Sequence, residues 1–140
     1  MGIEVDESRW PLVVVRFRGK LEDRELSAYL NKLALNLKRA ERARTKTAIL
    51  FDAPDGVGTT AMQRKAQSDW IDANRLQASM WCAGYAFALP SAALRGVLQA
   101  ILWLSPMPAP HTIVKTSAEG EAWLMARLER VSHGSLRPQP

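Results

Sequence analysis

Along the chain, short apolar runs alternate with longer amphipathic ones. Residues 12–18, LVVVRFR, are apolar and β-branched and turn to alternation at their end, which predicts a strand. The preceding IEV of residues 3–5 pairs with it through the polar turn DESRWP, making an opening hairpin. A helix capped by Asp23 follows. It carries Leu26, Tyr29, Leu30, Leu33, Leu37 and Ala40 on one face and Lys32, Lys38, Arg39 and Arg42 on the other. Residues 47–53, TAILFDA, form a second core strand; PDGVG breaks it, and Thr59 or Thr60 caps a helix reaching to about Met80. Trp70, with Met62, Ala66 and Ala73, marks the inward side of that helix.

The third core strand is CAGYAFAL, 82–89, closed by Pro90, and Ser91 caps a helix from Ala92 to about Leu104. SPMPAP ends that helix because proline neither donates the helical N–H nor lets its predecessor stay helical. HTIVKT, 111–116, is the last strand, and Ser117 caps a final helix over 118–131. The tail 132–140 has no apolar anchor after Leu136 and is expected to be disordered. Strand followed by helix, four times over, predicts one α/β domain over 1–131 with a mixed, mainly parallel sheet of four or five strands and four helices.

The helix at 92–104 raises its own question. At about 100° per residue, Leu94, Val97, Leu98, Ile101, Leu102 and Leu104 fall on one broad arc, which predicts a face packed on the sheet. Arg95, Gln99 and Trp103, spaced by four, make a second stripe that points away from it. Either Trp103 folds beneath the proline loop or stacks on arginine, or the stripe is an exposed docking surface for a partner protein or a second copy of the chain.

Composition narrows the classes. The apolar stretch around Trp103 is about half the roughly twenty residues a membrane-spanning helix needs, and Arg95 and Gln99 interrupt it. The single cysteine, Cys82, forbids an intramolecular disulfide and points to a reducing, cytoplasmic setting; no basic-then-apolar secretory leader opens the chain. Net charge is +5, with 13 arginines and 6 lysines. The basic segment KRAERARTK, 38–46, closes a helix, where cations complement the dipole, and no aromatic interleaves with it to stack bases. No specific nucleic-acid site is expected.

Candidate chemistry is sparse. DGVGTT sets Gly56 and Gly58 before a helix start, where an anion is favoured, but it lacks the lysine of a P-loop and the third glycine of a dinucleotide loop. Asp52 stands at the carboxyl end of a core strand, where α/β folds place ligand-facing groups. His111 and His133 lie in no metal-binding spacing, and Cys82 sits in an apolar strand as a small core residue. No metal, cofactor or catalytic set is expected.

The hairpin start, GKLEDRELSAYL, FDA with its turn and TTAMQRKAQSDWIDAN, and ALPSAALRGVLQAILWLSPMPAPHTIVKTSAEGEAWL together resemble bacterial SpoIIAA-like proteins of the STAS superfamily, in an uncharacterised branch. That resemblance implies the anti-sigma-factor-antagonist fold and a non-enzymatic protein-interaction role in signalling or regulation. The family's phosphorylated serine stands in an Asp-Ser-Ser-Gly phrase; here the place reads DAPDGVGTTAMQ, leaving Thr59 and Thr60 as the only hydroxyls, either as switch residues or as plain helix caps. An alternative role is small-ligand binding: an anion at the Gly56–Thr60 helix start, or an apolar molecule or lipid between helix and sheet, the latter in keeping with a topology that resembles lipid-transfer proteins of the CRAL-TRIO type.

Overall fold

A computed structural model of the chain describes residues 2–55 and 59–134. β1 (Ile3–Asp6) and β2 (Leu12–Phe17) form the predicted antiparallel hairpin, with Ile3 opposite Phe17 and Asp6 opposite Val14. Asp6 shapes its turn, because one carboxylate oxygen accepts from the Ser8 backbone at 2.9 Å and from the Ser8 hydroxyl at 2.6 Å. Then come α1 (Asp23–Ala43), β3 (Thr47–Asp52), α2 (Ala61–Ala73), α3 (Arg75–Trp81) and β4 (Cys82–Ala88). α4 (Ala92–Leu104), β5 (His111–Val114) and α5 (Ser117–Gly134) complete the chain. The sheet order is β1-β2-β3-β4-β5, and β2 to β5 run parallel.

Sheet order that follows chain order has a consequence for layering. Crossovers of one hand between successive neighbours must all pass over the same face. Val13, Val15, Phe17, Ile49, Phe51 and Tyr85 point to that face and pack with Leu26, Tyr29 and Leu33 of α1, Trp70 of α2 and Leu98 of α4. Alternation sends Leu12, Val14, Leu50, Ala86 and Ala88 to the other face, which α5 covers with Leu124, Trp123 and Leu128. Leu124 is fully buried, a position that contributes about 1.5–3 kcal/mol of burial. Gly120 lets α5 come this close: a Cβ there would stand 2.8 Å from Leu50 Cδ1 and 3.2 Å from Ala86 Cβ.

Several expected boundaries shift. The helix predicted to run to Met80 breaks at Asn74, so the domain has five helices among its described residues. The Asn74 side chain donates to the Trp70 carbonyl at 2.9 Å, and such local side-chain bonds compete with a continuous helix. Of the residues assigned to the inward side of that helix, Trp70 packs on the core, whereas Met62, Ala66 and Ala73 are exposed; Gln63, Gln67 and Ile71 face inward instead. Glu22, not Asp23, holds the cap position of α1, and Thr116, not Ser117, accepts the Glu119 N–H at 3.2 Å. α5 continues past 131 to Gly134; of the tail expected to be disordered, 135–140 lie outside the described residues.

Candidate functional site

The parallel strands carry a row of aromatic rings near their carboxyl ends. Phe51 of β3 lies in register with Phe87 of β4, and their rings stack with centroids 5.0 Å apart. Phe17 stacks on Phe51 from the other side at 6.2 Å, and Tyr85 stacks on Phe51 at the same distance. Above this row the helices do not close. α4 stands toward the sheet edge over β5, and α2 ends where Asn74 turns the chain.

Between them lies a groove of about 400 Å³, floored by Phe17, Phe51 and Phe87 and walled by Ile71 of α2 and Leu94, Val97 and Ile101 of α4. Polar side chains also line it. Thr59, Arg64, Gln67 and Ser68 lie along the α2 side, and Asp72, Arg75 and Ser105 line it too. Arg75 is held by Asp72 at 3.2 Å and by the Pro106 carbonyl at 2.9 Å. An apolar hollow with few polar groups, at the carboxyl ends of parallel strands, is where an open α/β fold takes a small molecule.

This arrangement corrects the expectation for α4. Its apolar arc does not pack on the sheet as a whole. Leu102 is buried and Leu98 half-buried, but Leu94, Val97 and Ile101 are 40%, 57% and 50% exposed along the groove wall, and Leu104 is 89% exposed. Periodicity locates an apolar arc on a helix; it does not say whether protein covers that arc.

The Arg95, Gln99, Trp103 stripe divides. Trp103 is 85% exposed, and among the described residues neither the proline loop nor an arginine covers it. Arg95 turns inward, and its Nη1 donates to the carbonyls of Leu89 and Pro90 at 2.8 and 2.9 Å, closing the end of β4. Gln99 is exposed between them.

The residues grouped as a switch or anion site also separate. Thr60 caps α2: its hydroxyl accepts from the Gln63 N–H at 3.1 Å, and Gln63 Oε1 accepts from the Thr60 N–H at 3.0 Å. The Arg64 guanidinium donates to the Thr59 carbonyl at 2.8 Å and to its hydroxyl at 3.3 Å, so Thr59 belongs to the groove rim. Asp52 belongs to neither. One residue on from Phe51, it points to the opposite face of the sheet, where Arg16 lies 4.0 Å from it, 3.2 Å from Glu4 and 3.6 Å from Asp6. Gly56 and Gly58 lie outside the described residues.

Cys82 is a buried thiol, pushed up to about 11 by desolvation, that donates weakly to the Gly84 carbonyl at 3.4 Å. The basic segment at 38–46 finds aromatic partners distant in sequence: Arg39 stacks 4.2 Å from the Trp10 ring and Arg44 lies 5.9 Å from that of Trp81. Arg44 and Trp81, with Arg9, Lys46 and Met125, line a second depression of about 560 Å³. It lies at the amino ends of β2 and β3, the end away from the aromatic row. No helix among the described residues is long and apolar enough to cross a membrane.

The groove-lining phenylalanines escaped the sequence reading, although their signal was present. FDA and FAL each end an apolar run with phenylalanine one or two residues before the strand closes, so a parallel register sets the two rings side by side.

No protein-family model and no curated protein sequence matches the chain. Among solved structures it is similar to an uncharacterized protein of the DUF3478 family with a SpoIIAA-like fold, from Shewanella loihica PV-4. That match has a TM-score of 0.60 and 13% sequence identity, over 88% of this chain and 92% of the other. At that identity the likeness bears on architecture alone, and it agrees with the strand order and layering described above: the chain has a SpoIIAA-like fold.

Proposed function

We propose that this domain is a non-enzymatic binding protein that holds a small apolar or amphiphilic molecule in the groove between α2 and α4. The observation that carries the reading is the groove wall itself. Leu94, Val97 and Ile101 stand half-exposed over a floor of stacked phenylalanines, in a hollow lined mainly by apolar side chains. Leaving such side chains in water forgoes the stabilisation of burying them, and a ligand that fills the groove recovers it. A volume of about 400 Å³ falls within the roughly 300–1,000 Å³ typical of small-molecule sites. Arg64 at the rim suits an acidic head group on an apolar body, since its guanidinium presents more N–H donors than Thr59 takes up.

The expected role as a protein-interaction module in signalling or regulation is supported by the SpoIIAA-like fold and by the exposure of Trp103. It is weakened by Arg95, which is committed to the end of β4 and does not accompany Trp103 on the surface.

Titration with a fluorescent fatty-acid analogue, together with native mass spectrometry of the purified protein, tests the groove. We expect saturable binding by the wild type. Ile101→Glu places a charge in the wall at a half-exposed position and should weaken binding about tenfold, a loss of roughly 1.4 kcal/mol, without lowering the melting temperature. Binding unaltered by Ile101→Glu, or none in the wild type, would remove the proposal.

A further inference from the structure

Among the described residues, the outer side of α4 has no covering element. Trp103 and Leu104 end the helix in the open, and Leu104 continues the line of Val97 and Ile101 out of the groove. At about 100° per residue, the helix presents Ala93, Gly96, Gln99 and Ala100 on the side of Trp103. Gln99 is the only hydrogen-bonding side chain among them. The start of α3 is tied to this end of the molecule, because Arg75 bonds the Pro106 carbonyl, and the next residue, Leu76, is also exposed.

From Ala73 to Ala118 the sequence holds no aspartate or glutamate, Lys115 is exposed, and the whole chain carries +5, although Arg75 is paired with Asp72 and Arg95 with the Leu89 and Pro90 carbonyls.

We propose that this surface, centred on Trp103 and Leu104, docks on an anionic lipid bilayer. Tryptophan favours the boundary between head groups and acyl chains, where its ring is buried and its N–H stays wet. Net positive charge, +5 over the chain, draws the molecule toward a negative surface. A protein interface relies on about one hydrogen bond per 100–200 Å² to fix its register. A smooth face of alanine, glycine and one glutamine offers little of that, whereas a bilayer requires none. The docking surface stands whether or not the groove holds a ligand; where both operate, the groove opens beside the membrane.

Sedimentation with vesicles tests it, using phosphatidylcholine alone and phosphatidylcholine mixed with phosphatidylglycerol. We expect wild-type protein to partition to the mixed vesicles more strongly than to the neutral ones. Trp103→Ser combined with Leu104→Ser should reduce that partitioning about tenfold or more, since two apolar side chains leave the interface. Both positions are almost fully exposed, so the melting temperature should stay unchanged, and probe binding in vesicle-free solution should persist, keeping the groove and the surface separable. Three results would overturn the proposal: equal partitioning of wild type and double variant, no wild-type partitioning to the mixed vesicles, or self-association or a purified protein complex that the double variant abolishes.

Discussion

Gln63 ties two helices together through a single side chain. Its Oε1 accepts the Thr60 N–H, while its Nε2 donates to the Leu21 carbonyl and to the Asp23 carboxylate, both at 2.8 Å. The start of α2 is thereby fastened to the start of α1 by a buried amide whose partners lie about forty residues away in sequence. Thr60 completes the set by accepting the Gln63 backbone N–H. Replacing it with alanine leaves that donor without its cap and should cost about 1 kcal/mol, as lost helix caps do. Urea denaturation of Thr60→Ala and Thr60→Asp separates capping from other roles: aspartate caps as well as threonine and should restore most of the loss. The cap itself is legible in the sequence, as a threonine three residues before a glutamine at a helix start. The clamp to α1 is not, since no local pattern reports which distant carbonyl a glutamine will find.

α4 and α5 show how far periodicity reaches at the scale of an element. Both helices are placed by their apolar spacing and by the breakers around them, and both stand where a strand–helix alternation sets them. Their environments then diverge. α5 has a face of the sheet to itself and approaches it through Gly120, whereas α4 stands over β5, where the break at Asn74 and the sheet edge leave four of the six residues of its apolar arc exposed. Amphipathicity is a property of one helix, but coverage depends on neighbours that only the assembled sheet positions. Gly120 gives the packing a direct test. Gly120→Val drives methyl groups into Leu50 and Ala86, where even a Cβ is too close, and should destabilise the domain by about 1–3 kcal/mol. Thermal melting measures it, and an unchanged melting temperature would mean that α5 can lift from the sheet without loss.

Across the whole molecule, carboxylates hold β1 and the hairpin turn in place, while β2 is fixed by its ladder with β3. Glu25 accepts the Gly2 N–H at 2.7 Å and the Ile3 N–H at 3.3 Å, tying β1 to α1. Glu121 of α5 pairs with Arg9 in the hairpin turn, and Asp6 holds the turn at Ser8. All three titrate below their ordinary range: Glu25 through the Gly2 N–H, Glu121 through the Arg9 guanidinium, Asp6 through the Ser8 hydroxyl and N–H. A carboxylate depressed in the folded state binds protons more readily once the chain unfolds. It therefore contributes stability above its unfolded value, near pH 4, and that contribution is lost as pH falls through the folded one. The parallel core of β2 to β4 has no such dependence, being built of Val13, Val15, Ile49, Leu50 and Ala86. Acid should therefore loosen β1 and the hairpin turn before the core. Hydrogen exchange at pH 7 and pH 3.5, corrected for intrinsic rates, should show β1 amides losing protection while β3 and β4 amides keep theirs. Glu25→Gln, which keeps an acceptor but cannot titrate, should flatten the change at Gly2 and Ile3. Uniform loss of protection across the sheet would show instead that the hairpin and the core unfold as one unit.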